Sequence, residues 1–315
     1  MAAKALAWAK TGWAALLLLC FLLAVGAMRS DLFPVSAANS VPQLEREAVP
    51  FALLALAAGL YAAARKAPWP RGRQLQSSIV IGLGLFVVPS LLVSLAHGWV
   101  SAFTRVALFS LVPVFAVVFE PYIGRRAGSQ IRGGLLAALA AVVGSLCVFP
   151  LDLPGSIEAS ATFAAVIVAA ACVAAANCYA VRVANALPSN GLASMTAMAA
   201  ASAAVGLVAA SAATEGLVFR WSVVSSDLAW SAIVSLPGLF LLFWLMPRMA
   251  ASRMTTRFVL APLMAILISM ALDRPSVGLL TWAGLLLIAA GAAWLLSAPD
   301  DHADADSSTL KLNRS

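Results

Sequence analysis

Charge is what this sequence has least of. Only 10% of its 315 residues are charged, against 63% hydrophobic, and mean hydropathy is +0.96. Soluble domains carry about 25% charged residues, so a water-soluble globule is excluded. Strict alternation of polar and apolar residues is also missing. That removes a membrane β-barrel, whose strands alternate over segments of about ten residues. Histidine occurs twice, as His97 and His302, and no His/Asp/Glu cluster forms. A membrane-embedded enzyme therefore lacks an obvious acid/base pair or metal site; the expectation is a non-enzyme with no metal and no cofactor. The four cysteines (Cys20, Cys147, Cys172, Cys178) lie in apolar runs without disulfide or zinc spacing. They are expected to act as small packing residues.

What is present is a series of apolar runs long enough to cross a bilayer as helices. Spans are expected at 11–28, 48–64, 77–96, 100–120, 133–149, 160–181, 191–213, 228–246, 256–272 and 279–297. The fold class is thus an all-α polytopic membrane protein of ten transmembrane helices. The apolar start, preceded by Lys4 and Lys10, reads as a retained signal-anchor, given nine further spans. No Asp or Glu falls near the middle of a span, which leaves proton coupling through a buried carboxylate without a residue.

The formal charge of +7 invites a nucleic-acid reading, but its distribution follows the membrane. With the N-terminus cytoplasmic, the inner segments carry Lys4, Lys10, Arg65, Lys66, Arg71, Arg73, Arg125, Arg126, Arg132, Arg182, Arg248, Arg253, Arg257, Lys311 and Arg314. The outer ones carry Arg29, Arg46, Arg220 and Arg274, and Arg105 lies within a span. Fifteen against four is a positive-inside bias. Both termini are expected in the cytoplasm of a bacterial inner membrane, with the lipid bilayer and a small-molecule substrate as partners and no nucleic acid. Oligomeric state, monomer or dimer, is left open.

Proline supplies the next signal, because inside a helix it removes a hydrogen bond and crowds the preceding turn. Pro89 in span 3 matches Pro237 in span 8 (237 minus 89 is 148). Pro113 in span 4 matches Pro262 in span 9 (149), and Gly134-Leu135-Leu136 in span 5 matches Gly284-Leu285-Leu286 in span 10 (150). Three successive helices at near-constant offset point to a duplicated five-helix unit. An odd number of helices per unit turns the second copy upside down, as in many secondary transporters. The expected units are residues 1–150 and 151–298, followed by a flexible acidic and polar cytoplasmic tail at 299–315. In that tail His302 stands among four aspartates, in a segment with nothing to build a core.

The stretch SLAHGWVSAFTRVALFSLVPVFAVVFEPYIGRRAGSQIRGGLLAALAAVVG (94–144) resembles the EamA-type ten-helix transporters of the drug/metabolite transporter superfamily. Residues 232–296 repeat its pattern, and ANCYAVRVA (176–184) is similar to the end of the family's sixth span. The resemblance implies a permease that moves a small amphipathic metabolite such as an amino acid or drug, in the outward direction, by alternating access. Departures are Gly124-Arg125 where many members carry Gly-Glu, and AVGAMRSD (24–31) in place of a Trp-Gly-Ser-like stretch. The loop at 29–47 is also longer than the family pattern. A lipid or lipid-linked sugar flippase on the same fold is the alternative, with a membrane enzyme behind it.

The expected pathway residues are Arg105, Pro113, Asn177, Tyr179, Trp244 and Pro262, with helix bends at Pro89, Pro113, Pro237 and Pro262. Arg105 has two readings, attraction of a carboxylate or phosphate and snorkelling to headgroups. Asn177 either lines the pathway or bonds a neighbouring helix. Arg257 is read as an interfacial anchor. Glu120 is read as hydrated or paired with Arg125 or Arg126, and His97 as a surface residue. Trp99, Trp221 and Trp230 suit an outer aromatic belt. The stripe Gly133, Ala137, Ala141, with Gly284 and Gly291, is expected to pack helices tightly, and the alanine-rich spans 6 and 7 likewise.

Overall fold

A computed structural model describes residues 2–28, 42–124, 131–188, 190–218, 228–273 and 278–297. Arg29, Arg125, Arg126, Arg220, Trp221, Arg274 and the 299–315 tail lie outside them. Within the described residues the chain is helical and holds no strand. Among the described residues, nine helices are long and apolar enough to cross a membrane. They are α2 (Gln43–Ala64), α3 (Arg73–Leu95), α4 (Ala102–Ile123), α5 (Ile131–Val148), α6 (Ile157–Asn185), α7 (Gly191–Thr214), α8 (Leu228–Leu245), α9 (Ala251–Leu272) and α10 (Leu279–Ser297). The first helix, α1 (Ala2–Ala27), adds a shorter apolar stretch at Gly12–Ala27. Large apolar side chains such as Leu56, Leu60, Val205, Ile233 and Phe240 stand exposed on α2, α7 and α8. A soluble protein does not spread apolar surface so widely. The chain is a polytopic membrane protein.

Several helices start earlier than the hydropathy predicts, and α6 and α2 do so for different reasons. The Ser156 side chain accepts from the Ala159 N–H at 3.1 Å and starts α6 there, a cap signal readable in sequence. α2 instead begins at Gln43, so residues 43–47 of the expected loop are helical. Its Leu44 N–H is bonded by Glu215 Oε2 at the end of α7 (3.0 Å), and Glu45 Oε2 accepts from the Val218 N–H (3.1 Å). The carboxylate that satisfies the helix start comes from 171 residues away.

The prolines of α3 and α8 sit in matching local structure. A π-helical turn at Leu83–Val87 precedes Pro89, closed by the Val88 N–H on Leu83 O. Another at Ser231–Ser235 precedes Pro237, closed by the Leu236 N–H on Ser231 O. Both turns begin 148 residues apart (231 minus 83), the offset of the prolines themselves. A missing proline N–H leaves the α ladder incomplete, and the wider turn absorbs the fault.

α4 and α9 are interrupted differently. α4 breaks at Ser110–Leu111, just before Pro113. α9 breaks at Thr255–Thr256 and then runs through Pro262 without interruption. Both threonines are fully buried, and their hydroxyls close on Ser252 O (2.7 Å) and Arg253 O (2.6 Å). Such bonding back to the preceding turn bends helices.

The largest interhelical contacts are α2 with α7 and α5 with α10. In the second pair a Cβ on Gly144 would meet Gly284 O and Ile288 N at 2.7 Å, and one on Gly291 would meet Ala137 O and Ala141 N at 2.7 Å. As one helix ascends from 284 to 291 the other descends from 144 to 137, so the two are antiparallel and in backbone contact. Only small residues permit this approach. Gly133 takes no part, having open space around it, and Gly144 joins the expected stripe. α1 packs on α8 and α9, while α6 packs on α3 and α4. All four cysteines are free thiols.

Candidate functional site: a central cavity ending at a buried arginine

The helix packing encloses a cavity of about 850 Å³. Its walls come from α1, α2, α3, α4, α8 and α9, with Val173 of α6, and are largely apolar, with Phe51, Phe86, Phe109 and Phe258 among them. Polar groups are few and unevenly placed. Gln43, Arg46 and Glu47 open α2, Arg105 lies one turn into α4, and Trp230 lies at the start of α8; all line the same end. Arg257 lines the other end. Beyond it Leu245, Met246 and Met254 have no exposed surface, so the molecule is packed shut there.

The break in α9 accounts for the position of Arg257. The interrupted helix leaves Met254 O available, and Arg257 Nη1 donates to it at 2.9 Å. Nη2 donates to Asn177 Oδ1 on α6 at 3.0 Å. Asn177 is itself fully buried, and its Nδ2 is spent on Val173 O at 2.7 Å, which turns the amide oxygen to the arginine. The guanidinium lies over the Phe258 ring, 4.6 Å from its centre. Arg257 is 5% exposed. The interfacial anchor expected from sequence is thus a core residue facing the cavity, because α9 begins six residues before it, at Ala251, and carries it inward.

The closed end has its own polar joint. Glu120, at the end of the α-helical part of α4, accepts from the Ala251 N–H (3.2 Å) and the Ser252 N–H (3.4 Å) at the start of α9. The carboxylate satisfies free donors of a helix start, the stabilising arrangement for a negative group. This role was not visible in sequence, which offered only the neighbouring arginines as partners. Arg182 Nη1 adds a bond from α6 to Ile123 O at 3.3 Å.

The other expected residues divide. Arg105, Pro89 and Pro262 line the cavity, with the Arg105 Nη1 3.5 Å from His97 Nδ1. Asn177 lies behind Arg257, bonding a neighbouring helix. Pro113 is buried in the packing around α4. Tyr179 bonds Ser77 of α3 at 2.7 Å, and Trp244 packs against the core with Arg248 3.9 Å over its ring. Pro237 is exposed. Trp99 is exposed as a belt residue would be, whereas Trp230 lines the cavity. Among the described residues no group of three His, Cys, Asp or Glu is placed to hold a metal.

No family model matches the chain, and no curated protein matches it. Among solved proteins, one crystal structure superposes with a TM-score of 0.70 over 93% of this chain and 99% of that one, at 16% identity. At that identity the likeness shows a shared fold.

Proposed function

We propose that this chain is a secondary transporter of the EamA type within the drug/metabolite transporter superfamily. It is a permease that moves a small amphipathic metabolite across a bacterial inner membrane by alternating access between two inverted five-helix units, 1–150 and 151–298. The observation that carries this reading is the correspondence between the two parts of the chain. The π turns before Pro89 and Pro237 share one register. The helices that would be equivalent, α5 and α10, meet antiparallel, as an inverted copy requires. Exchanging each helix with its counterpart turns the packing of α1 on α8 and α9 into that of α6 on α3 and α4.

Such symmetry gives two conformations of similar energy, and a site between the units is then exposed to each side in turn. The cavity lies between the units and is large enough for a drug-sized molecule. With basic loops inside, the end shut by Glu120 is cytoplasmic and the conformation is outward-facing. Purified protein in proteoliposomes, preloaded with members of a metabolite panel, tests this by counterflow. Saturable exchange of one compound class supports the reading. No exchange of any compound, with scrambling of a fluorescent lipid instead, would replace it with a flippase.

A further inference from the structure

We propose that Arg257 is the anchoring point of the cavity for a carboxylate, and that the compound accepted is a monoanionic organic acid with an aromatic or branched apolar body. This rests on the reading of the cavity as a substrate site and narrows its substrate.

Three observations converge. Arg257 is a buried guanidinium facing the cavity, and its protein partners are two neutral carbonyl oxygens, Met254 O and Asn177 Oδ1. Among the described residues no carboxylate reaches it. A guanidinium has five N–H donors, so two such bonds leave it unsaturated and its charge uncompensated. A cation in that setting is costly to hold and attracts an anion strongly, because the surrounding dielectric is low. Second, the charge is preorganised: Asn177, the Phe258 ring and the α9 break fix the planar fork before any ligand arrives. A fixed fork suits a planar carboxylate, which takes two parallel bonds. Third, the lining is one-sided in charge. Among the described residues, Arg46, Arg105 and Arg257 line it against one carboxylate, that of Glu47, which lies at the far end from Arg257.

That asymmetry separates the substrate classes. A zwitterion needs an acidic or strongly accepting group close to the arginine to hold its ammonium, and Glu47 stands near the start of α2 at the open end. A cation would meet Arg257 as a like charge. An organic anion places its carboxylate on Arg257 and its apolar body against Phe86, Phe109 and Phe258.

The test uses four compounds that share a phenyl body and differ in charge: phenylacetate, phenylacetamide, phenylalanine and phenethylamine. Equilibrium binding of each labelled compound is measured on the full-length protein in lipid nanodiscs. Phenylacetate is expected to bind at least about tenfold tighter than its neutral amide, the scale of a charge-assisted pair. Arg257→Lys keeps the charge, loses the fork and is expected to weaken phenylacetate about tenfold. Asn177→Asp supplies a counter-charge from within, at the loss of the amide donor to Val173 O, and is expected to abolish the preference while thermal unfolding stays cooperative. Equal binding of all four compounds, preference for phenylalanine or phenethylamine, no binding of any, or a phenylacetate preference untouched by Arg257→Lys and Asn177→Asp overturns the proposal. Counterflow in proteoliposomes separates it from the transport reading. Arg257-dependent binding without counterflow keeps the site and overturns transport. Counterflow of phenylalanine or phenethylamine that ignores Arg257 keeps transport and overturns the site.

Discussion

α4 and α9 carry their prolines 149 residues apart and each is interrupted once, yet they do different work. In α4 the break falls directly before Pro113, and the buried Ser110 hydroxyl closes on Ala107 O at 2.6 Å. In α9 it falls at Thr255–Thr256, one turn before the proline's own turn, and it brings Arg257 inward. Where α9 has Arg257, the same offset in α4 gives Leu108, packed with Ala96, Val100 and Val166. Where α4 has Glu120, it gives Ser269 in α9. Bends and close helix contacts recur in the two parts of the chain, whereas the ionised groups do not. A pathway can thus have symmetric mechanics and a one-sided chemistry.

The largest expected effect comes from transferring the charge across. Leu108→Arg buries a guanidinium among apolar neighbours with no Asn177 to receive it, and should destabilise the protein by about 3 kcal/mol or more in thermal or denaturant unfolding. If it folds with unchanged stability, the asymmetry between the two helices is only one of composition. The reverse change, Arg257→Leu, is expected to cost only about 1–2 kcal/mol, mostly from the amide oxygen of Asn177 losing its donor.

A smaller effect concerns the closed end. Glu120→Gln weakens the joint to Ala251 and Ser252 by about 1 kcal/mol, since a neutral amide accepts less strongly than a carboxylate. Labelling of a Thr256→Cys reporter by a membrane-impermeant maleimide from the cytoplasmic side should then rise about fivefold. Unchanged labelling would mean that apolar packing alone shuts this end. The smallest effects belong to the prolines. Pro262→Ala returns a donor for Phe258 O inside a continuous helix and should stabilise by up to about 1 kcal/mol, while Pro113→Ala, at the start of a helical segment, should change stability by less. Paired unfolding midpoints would reveal the opposite order if the α4 bend stores the greater strain.

The sequence makes the spans, the paired prolines and the small-residue stripe visible because each depends on local composition or short periodicity. The sequence reads Arg257 as an anchor and the structure buries it, for a physical reason. Its burial is set by Asn177, 80 residues away, and by a helix start that lies in a polar-looking segment, Ala-Ser-Arg-Met-Thr-Thr. Hydropathy assigns such a segment to a loop. Glu120 and Glu215 are similar cases, each capping a helix distant in sequence, so neither partner carries a local signal. Asn177 was legible as a candidate, but the choice between pathway and helix contact needed the direction of its amide.

The π turns before Pro89 and Pro237 have a consequence for movement. A π turn holds one residue more than the α turn it replaces, so it is slack wound into the helix. Drawing it out to α geometry would swivel everything beyond it by about 100° and advance it by about 1.5 Å. α3 and α8 each keep one such spare residue where they flank the cavity, at the same distance from a proline. Each flank can therefore rewind without breaking its helix in two, much as a coiled lead lets a joint turn while the line stays whole.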